Sequence, residues 1–334
     1  MSAKHKVVVL GTAHGHVFSP AGIVNEMDDA EIVGIWDSDA DRLAIACEKL
    51  GAPGMGSLDE ALGCGPSLAI AAPVPDERPD LICRLLEAGV PTWVDKPMAV
   101  THAGLDQVMA AAARWATPLS VGLSYRGDPL VRAARAAVAG GRIGKLVRTM
   151  ACGPHKMLAG IRPAWHWTKR NGGILIDIGS HHADIVCWFA EGKPVTVTGM
   201  HTNVSQPERE EFQDFGQAQV RFDDGSLGHY EVDWLNPDSI EHFGDTRFWF
   251  QGTAGKIELR LGDEVSARIW TGERVEDIEP VGEDAHAWER RLLEELCAGK
   301  QGDLSKGDAF GATRVTLEAY ESAEDGSAAV AHRD

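Results

Sequence analysis

Short uninterrupted apolar runs and longer segments of helical period alternate through the first 124 residues. Positions 7–10, 32–36, 68–72, 92–94 and 119–123 are continuously apolar, the pattern of strands buried on both faces. Between them, segments 39–50, 78–88 and 103–115 carry apolar residues three and four apart, as helices with one inward face do. This βαβ repetition predicts a right-handed, doubly wound parallel sheet.

After Tyr125 the texture changes. An alanine-rich helix over 130–139 ends at Gly140-Gly141, and a second covers about 180–189. Positions 217–222 run into Asp224-Gly225 and are followed by 227–234, 246–251 and 256–261. Strands joined by glycine-containing turns predict a large, open, mostly antiparallel sheet. Helices over about 285–298 and 309–322 close the pattern. The expected fold class is α/β, with one domain over 1–124 and a second over 125–334. A length of 334 residues agrees, since single cores seldom grow past about 250–300.

Charge narrows the partners. Against 32 Lys and Arg stand 50 Asp and Glu, a formal net charge of −18 that repels phosphate backbones and anionic lipid. Neither nucleic acid nor a membrane is expected as partner. MSAKHK runs directly into VVVL without an apolar signal core, and no span approaches about 20 apolar residues, so a cytoplasmic protein is expected. The six cysteines lack CxxC spacing and read as reduced thiols rather than zinc ligands.

The first strand ends in Gly11-Thr12-Ala13-His14-Gly15-His16, where a dinucleotide fingerprint reads GxGxxG. Only the first glycine aligns. Such a turn brings backbone N–H groups to a pyrophosphate at a helix N-terminus. Asp37, at the end of the second strand, is placed to accept hydrogen bonds from ribose hydroxyls and to repel a 2′-phosphate. NAD is therefore expected over NADP, with Arg42 the residue that favours the latter. The cofactor-facing set is Gly11, Thr12, Ala13, His14, Asp37, Ser38, Arg42, Ala72, Pro73, Asp76, Asp95 and Lys96.

Asp95-Lys96-Pro97 follows the fourth apolar run, at the carboxyl edge where open α/β sheets bind ligands. A lysine there suits proton exchange with a substrate hydroxyl, or an ion pair that closes the cleft. Further on, Asp177 and His181 stand four apart, on one face of a helix beginning near Asp177, with Asp184 a turn beyond. A carboxylate beside an imidazole fixes its tautomer and raises its basicity. Either Lys96 or His181 can then take the hydroxyl proton as hydride leaves. His166, His181, His182 and Asp184 also contain metal-ligand types, but adjacent helical histidines point about 100° apart, so no metal is expected. Around this segment His155, Lys156, Arg162 and Trp165 offer donors and aromatic faces suited to a polyhydroxylated ring.

These residues together resemble the Gfo/Idh/MocA oxidoreductases, which include glucose–fructose oxidoreductase and inositol dehydrogenases. The likeness spans nearly the whole chain: the opening strand and turn, Asp37, Ala71-Ala72-Pro73, Asp95-Lys96-Pro97 where the family typically has Glu-Lys-Pro, and Ser124-Tyr125-Arg126. It continues through 141–144 and 172–184 to Ala319-Tyr320-Glu321-Ser322-Ala323. The resemblance implies an N-terminal Rossmann domain and a C-terminal domain with a broad open sheet, through which a homodimer or homotetramer forms. It also implies that Lys96, Asp177 and His181 match the family's active-site trio, with Tyr125 and Arg126 near the substrate. After Pro73 the family's usual Asn and His are replaced by Val74 and Glu77. The expected activity is hydride transfer between NAD and a secondary alcohol of a sugar, cyclitol or polyol. The alternative is a non-catalytic nucleotide- or sugar-binding sensor on the same fold.

Overall fold

A computed structural model describes residues 4–333. Its first strands and helices follow the alternation in the sequence: β1 (His5–Thr12), α1 (Phe18–Glu26), β2 (Ala30–Trp36), α2 (Ala40–Leu50), α3 (Leu58–Gly63), β3 (Leu68–Ala72), α4 (Arg78–Glu87), β4 (Thr92–Val94), α5 (His102–Arg114) and β5 (Leu119–Val121). The five strands form one sheet in the order β2-β1-β3-β4-β5, with each neighbouring pair parallel. Helices cover both faces of such a sheet, so every residue of β3 and β4 is buried. Local signals set the helix ends. Asp39 caps α2 by accepting from the Asp41 and Arg42 N–H groups, and Gly51, in the left-handed region at φ 67°, closes it.

The second half contains α6 (Pro129–Ala139), β6 (Leu146–Lys156), α7 (Ile174–Asp177), α8 (Gly179–Phe189), β7 (Pro194–Thr202), β8 (Phe215–Phe222), β9 (Leu227–Asn236), β10 (Thr246–Gly252), β11 (Gly255–Leu261), β12 (Ser266–Thr271) and β13 (Val275–Asp277). After these come α9 (Ala285–Cys297), α10 (Lys306–Glu324) and β14 (Val330–Ala331). Nine strands form a sheet in the order β13-β12-β11-β10-β6-β9-β8-β7-β14. It is antiparallel except where β6 pairs parallel with β9. Residues alternate inward and outward along β8, β9 and β10, and the inward set, including Ala218, Val220, Tyr230, Val232, Phe248 and Phe250, shares one core with α7 and α8.

Two features depart from the pattern expected of the sequence. Strand β6 lies at the middle of the large sheet, where the sequence pattern predicts no strand over 146–156. Gly153 is obligatory there, because a Cβ would lie 2.1 Å from the His182 ring. The chain also divides differently from 1–124 and 125–334. One compact unit comprises the described residues up to Gly122 together with Ala285–Phe310; the other comprises Leu123–Asp284 and the described residues from Gly311 onward. The reason is α9, whose Trp288, Leu292, Leu293, Leu296 and Cys297 join the core built by α1 and the parallel sheet. Each large apolar side chain buried this way contributes about 1.5–3 kcal/mol.

Candidate active site

At the carboxyl end of the parallel sheet, the turn after β1 packs against the end of β3. The Ala13 N–H donates to the Ala72 carbonyl at 3.0 Å. Gly11 has φ +72°, and a Cβ on it would lie 2.7 Å from Pro73 backbone atoms, so this position admits only glycine. Asp37 is buried and saturated. Its carboxylate accepts from the Thr12 N–H at 2.6 Å, the Thr12 hydroxyl at 2.8 Å, the Asp39 N–H at 2.8 Å and the Arg42 guanidinium at 2.7 Å. Burial alone would raise its pKa, but the Arg42, Asp39 and Thr12 hydrogen bonds hold it below the ordinary value. Arg42 is thereby tied to a carboxylate. Ser38 and Asp76, from the expected cofactor-facing set, are exposed.

Asp95 and Lys96 are both buried, directly after β4. The Asp95 N–H donates to Ala71 at 2.9 Å, which extends the β3–β4 pairing up to the lysine. The Asp95 carboxylate lies 3.2 Å from His14 Nδ1 and 3.0 Å from His16 Nδ1, and it accepts from Arg78 Nη2 at 3.0 Å. Burial opposes its charge, yet His16, Arg78 and His14 hold its pKa well below the usual carboxylate range. Burial in turn lowers His14, with Asp95 opposing. Arg78 is fully buried; besides Asp95 it donates to the carbonyls of Pro73 at 3.1 Å, Asp95 at 3.0 Å and Pro97 at 2.8 Å. It therefore ties the end of β3 to the backbone on both sides of Lys96.

Arg78 and His16 are the residues that sequence reasoning missed here. The only signal was His16 standing in a glycine position; Arg78, in the first turn of a helix, looks like a solvent-facing charge. Among the described residues, His14, His16 and Asp95 also form a group whose ligand atoms lie within 4.8 Å of one another. The Arg78 guanidinium on the same carboxylate makes a second cation costly at that point.

In the second unit, Asp177 ends α7 and His181 lies in the first turn of α8, with Ile178 between the helices still in helical conformation. Both side chains are buried. The Tyr125 ring lies 5.2 Å from His181 and 5.7 Å from His182, and its hydroxyl is 2.6 Å from Thr246 Oγ1. Burial pushes the Tyr125 phenol up to about 12. Arg126 is buried, pairs with Asp184 at 2.7 Å and stacks on Trp188.

The remaining residues expected near the substrate lie at the end of β6 and in the turns that follow it. His155 and Lys156 end β6, with His155 Nδ1 2.9 Å from the Gly153 carbonyl. Trp165 is buried, next to a His166 ringed by Trp167, Phe212 and Trp234. Arg162 stacks on Trp234 at 4.4 Å. Burial lowers its pKa and the charge of Asp177 opposes that shift.

Two family profiles match this chain. Residues 5–123 match the oxidoreductase family with an NAD-binding Rossmann fold, and residues 131–258 match the GFO/IDH/MocA C-terminal domain. The chain belongs to the Gfo/Idh/MocA oxidoreductase family. It is 28% identical to the myo-inositol dehydrogenase Hyg17 of Streptomyces leeuwenhoekii, over 81% of this chain and 82% of that protein. It is 26% identical to inositol 2-dehydrogenase 2 of Saccharopolyspora erythraea, over 92% and 89%. A solved structure from Erwinia carotovora atroseptica SCRI1043, provisionally assigned as an oxidoreductase, superposes with a TM-score of 0.87 at 29% identity, covering 96% of this chain and 99% of that one. The family uses NAD, and the first unit is its Rossmann domain. No helix among the described residues is long and apolar enough to cross a membrane.

Proposed function

We propose that this protein transfers a hydride between NAD and a secondary alcohol carbon of a sugar, cyclitol or related polyol, with Lys96, Asp177 and His181 handling the proton. The observation that carries the reading is Lys96 itself, a buried lysine at the carboxyl edge of the parallel sheet whose flanking carbonyls are both fixed by Arg78. The turn suits a dinucleotide: the close approach of Gly11 to Pro73 leaves a backbone cradle free of side chain, and Asp37 is held ionised beside it. Gly11, Thr12, Ala13, His14, Ala72 and Pro73 would hold NAD, which supplies the hydride acceptor. The Lys96 amine or the His181 imidazole takes the hydroxyl proton, and Asp177 favours a protonated imidazole near it. The inositol dehydrogenases among the relatives support a polyhydroxylated substrate.

The test is NADH formation with a panel of polyols. Lys96→Met should lower kcat by about 10²–10⁴-fold on any active substrate. Turnover equal to the parent would refute the role of Lys96. Tight NAD binding without turnover on any substrate would make the protein a sensor instead. Comparing pH profiles of kcat/KM for Lys96→Met and His181→Asn identifies the base, as the limb it produces disappears with it. The same reading includes a homodimer or homotetramer through the open face of the nine-stranded sheet, where Met200, Leu227 and Leu235 are exposed; light scattering reads the mass. It also includes a cytoplasmic location, which cell fractionation checks.

A further inference from the structure

The chain's charge is unevenly distributed. Between Asp128 and Asp177 lie 48 residues with nine Lys and Arg and no Asp or Glu, in a protein of net charge −18. The last part of this stretch runs from the end of β6 to the Asp177–His181 segment and holds Lys156, Arg162, Lys169 and Arg170. From another segment, Glu211 accepts from the Lys169 N–H at 3.1 Å.

Arg162 is the most constrained of these cations. Its guanidinium lies over aromatic neighbours, 4.4 Å from the Trp234 ring centre and 5.6 Å from that of Phe243. Nε donates to the Met157 carbonyl at 2.8 Å and Nη2 to the Lys156 carbonyl at 3.3 Å. Those two nitrogens share one edge of the guanidinium, so consecutive carbonyls occupy that edge. The other edge, Nη1 with the second Nη2 hydrogen, has no hydrogen-bond partner among the described residues. Asp177 acts on Arg162 through its charge, which places the guanidinium in the neighbourhood of the proposed proton-handling pair. A planar fork held by stacking, with one donor edge open, matches a carboxylate in two-point contact.

The geometry points to a substrate that carries a carboxylate, an aldonate, uronate or comparable acid of a polyol, gripped by the open edge of Arg162. This rests on the polyol-oxidoreductase reading and narrows it, because myo-inositol has no such group. A phosphate dianion fits less well: the nearby Asp177 repels it more strongly than a monoanion, and one fork supplies only two of the contacts it seeks.

The experiment compares D-gluconate, D-glucuronate and D-galacturonate with D-glucose, myo-inositol and D-glucose 6-phosphate, in both turnover and calorimetric binding to the NAD-saturated protein. At least one carboxylated probe should exceed the neutral and phosphorylated ones in kcat/KM. For Arg162→Gln, the ratio of carboxylated to neutral kcat/KM should fall about 10- to 100-fold. Arg162→Lys, which keeps the charge without the fork, should recover only part of that ratio. A parent enzyme that prefers neutral or phosphorylated probes overturns the inference, as does failure to bind any carboxylated probe. An unchanged ratio in Arg162→Gln also overturns it and assigns Arg162 to balancing Asp177. Arg162-dependent binding of a carboxylated probe without turnover would keep the anion site and refute the hydride-transfer reading.

Discussion

Arg78 and Arg162 are the same side chain put to opposite uses. Arg78 is wholly buried, and each of its three nitrogens donates to protein: two to the carbonyls around Lys96 and the end of β3, one to Asp95. Arg162 is half-buried and has one donor edge bonded and the other open. A guanidinium with its donors satisfied inside the protein fixes backbone. One braced by stacking and left half-satisfied is prepared for a partner that arrives from outside.

The contrast predicts different costs. Arg78→Leu should lose about 3–5 kcal/mol of stability in urea unfolding, because it leaves the buried Asp95 charge and several carbonyls uncompensated. A loss below about 1 kcal/mol would mean that Arg78 does not hold the Lys96 segment. Acid should reveal the same network. Asp95 titrates lower in the folded protein than in the unfolded chain, whose aspartates titrate near about 3.9. The stability it contributes is complete above that value and is lost as pH falls from there toward the lower folded pKa, by at most about 1.4 kcal/mol per pH unit. Asp95→Asn should therefore shallow the acid limb of urea midpoint against pH below about 4. An acid limb as steep as the parent's would show that the depressed pKa is not linked to folding. Arg162→Gln should cost least, about 1 kcal/mol from the lost stacking and carbonyl bonds. A stability loss as large as that of Arg78→Leu would erase the distinction between the two residues.

Much of the parallel sheet can be read from sequence because burial on both faces leaves a run such as Val7-Val8-Val9-Leu10 with no polar position to blur it. The alternating strands β8 to β11 are legible for the complementary reason, one wet face and one dry. Strand β6 is not, since its Gly153 and Pro154 are turn residues by local chemistry. Only the His182 ring, contributed by a helix 29 positions away in sequence, explains the glycine. Asp37 and Lys96 were visible as charges at strand ends. Their partners were less so: a buried arginine in a first helical turn has the same local sequence as an exposed one, and the difference lies in carbonyls just beyond the ends of β3 and β4. The Asp177 and His181 spacing was legible, whereas the pairing of Arg126 with Asp184, 58 positions away, was not.

Helix α9 has a consequence for how the molecule is made and dissected. The core of the first unit includes residues near position 290, although its sheet is finished by Val121. A fragment ending at 124 would keep the sheet and its own helices but expose the apolar surface that Trp288, Leu292, Leu293 and Leu296 cover, and would be prone to stick to copies of itself. On the ribosome, that surface waits for α9 while more than 160 further residues are synthesised, so the core begun first is completed late.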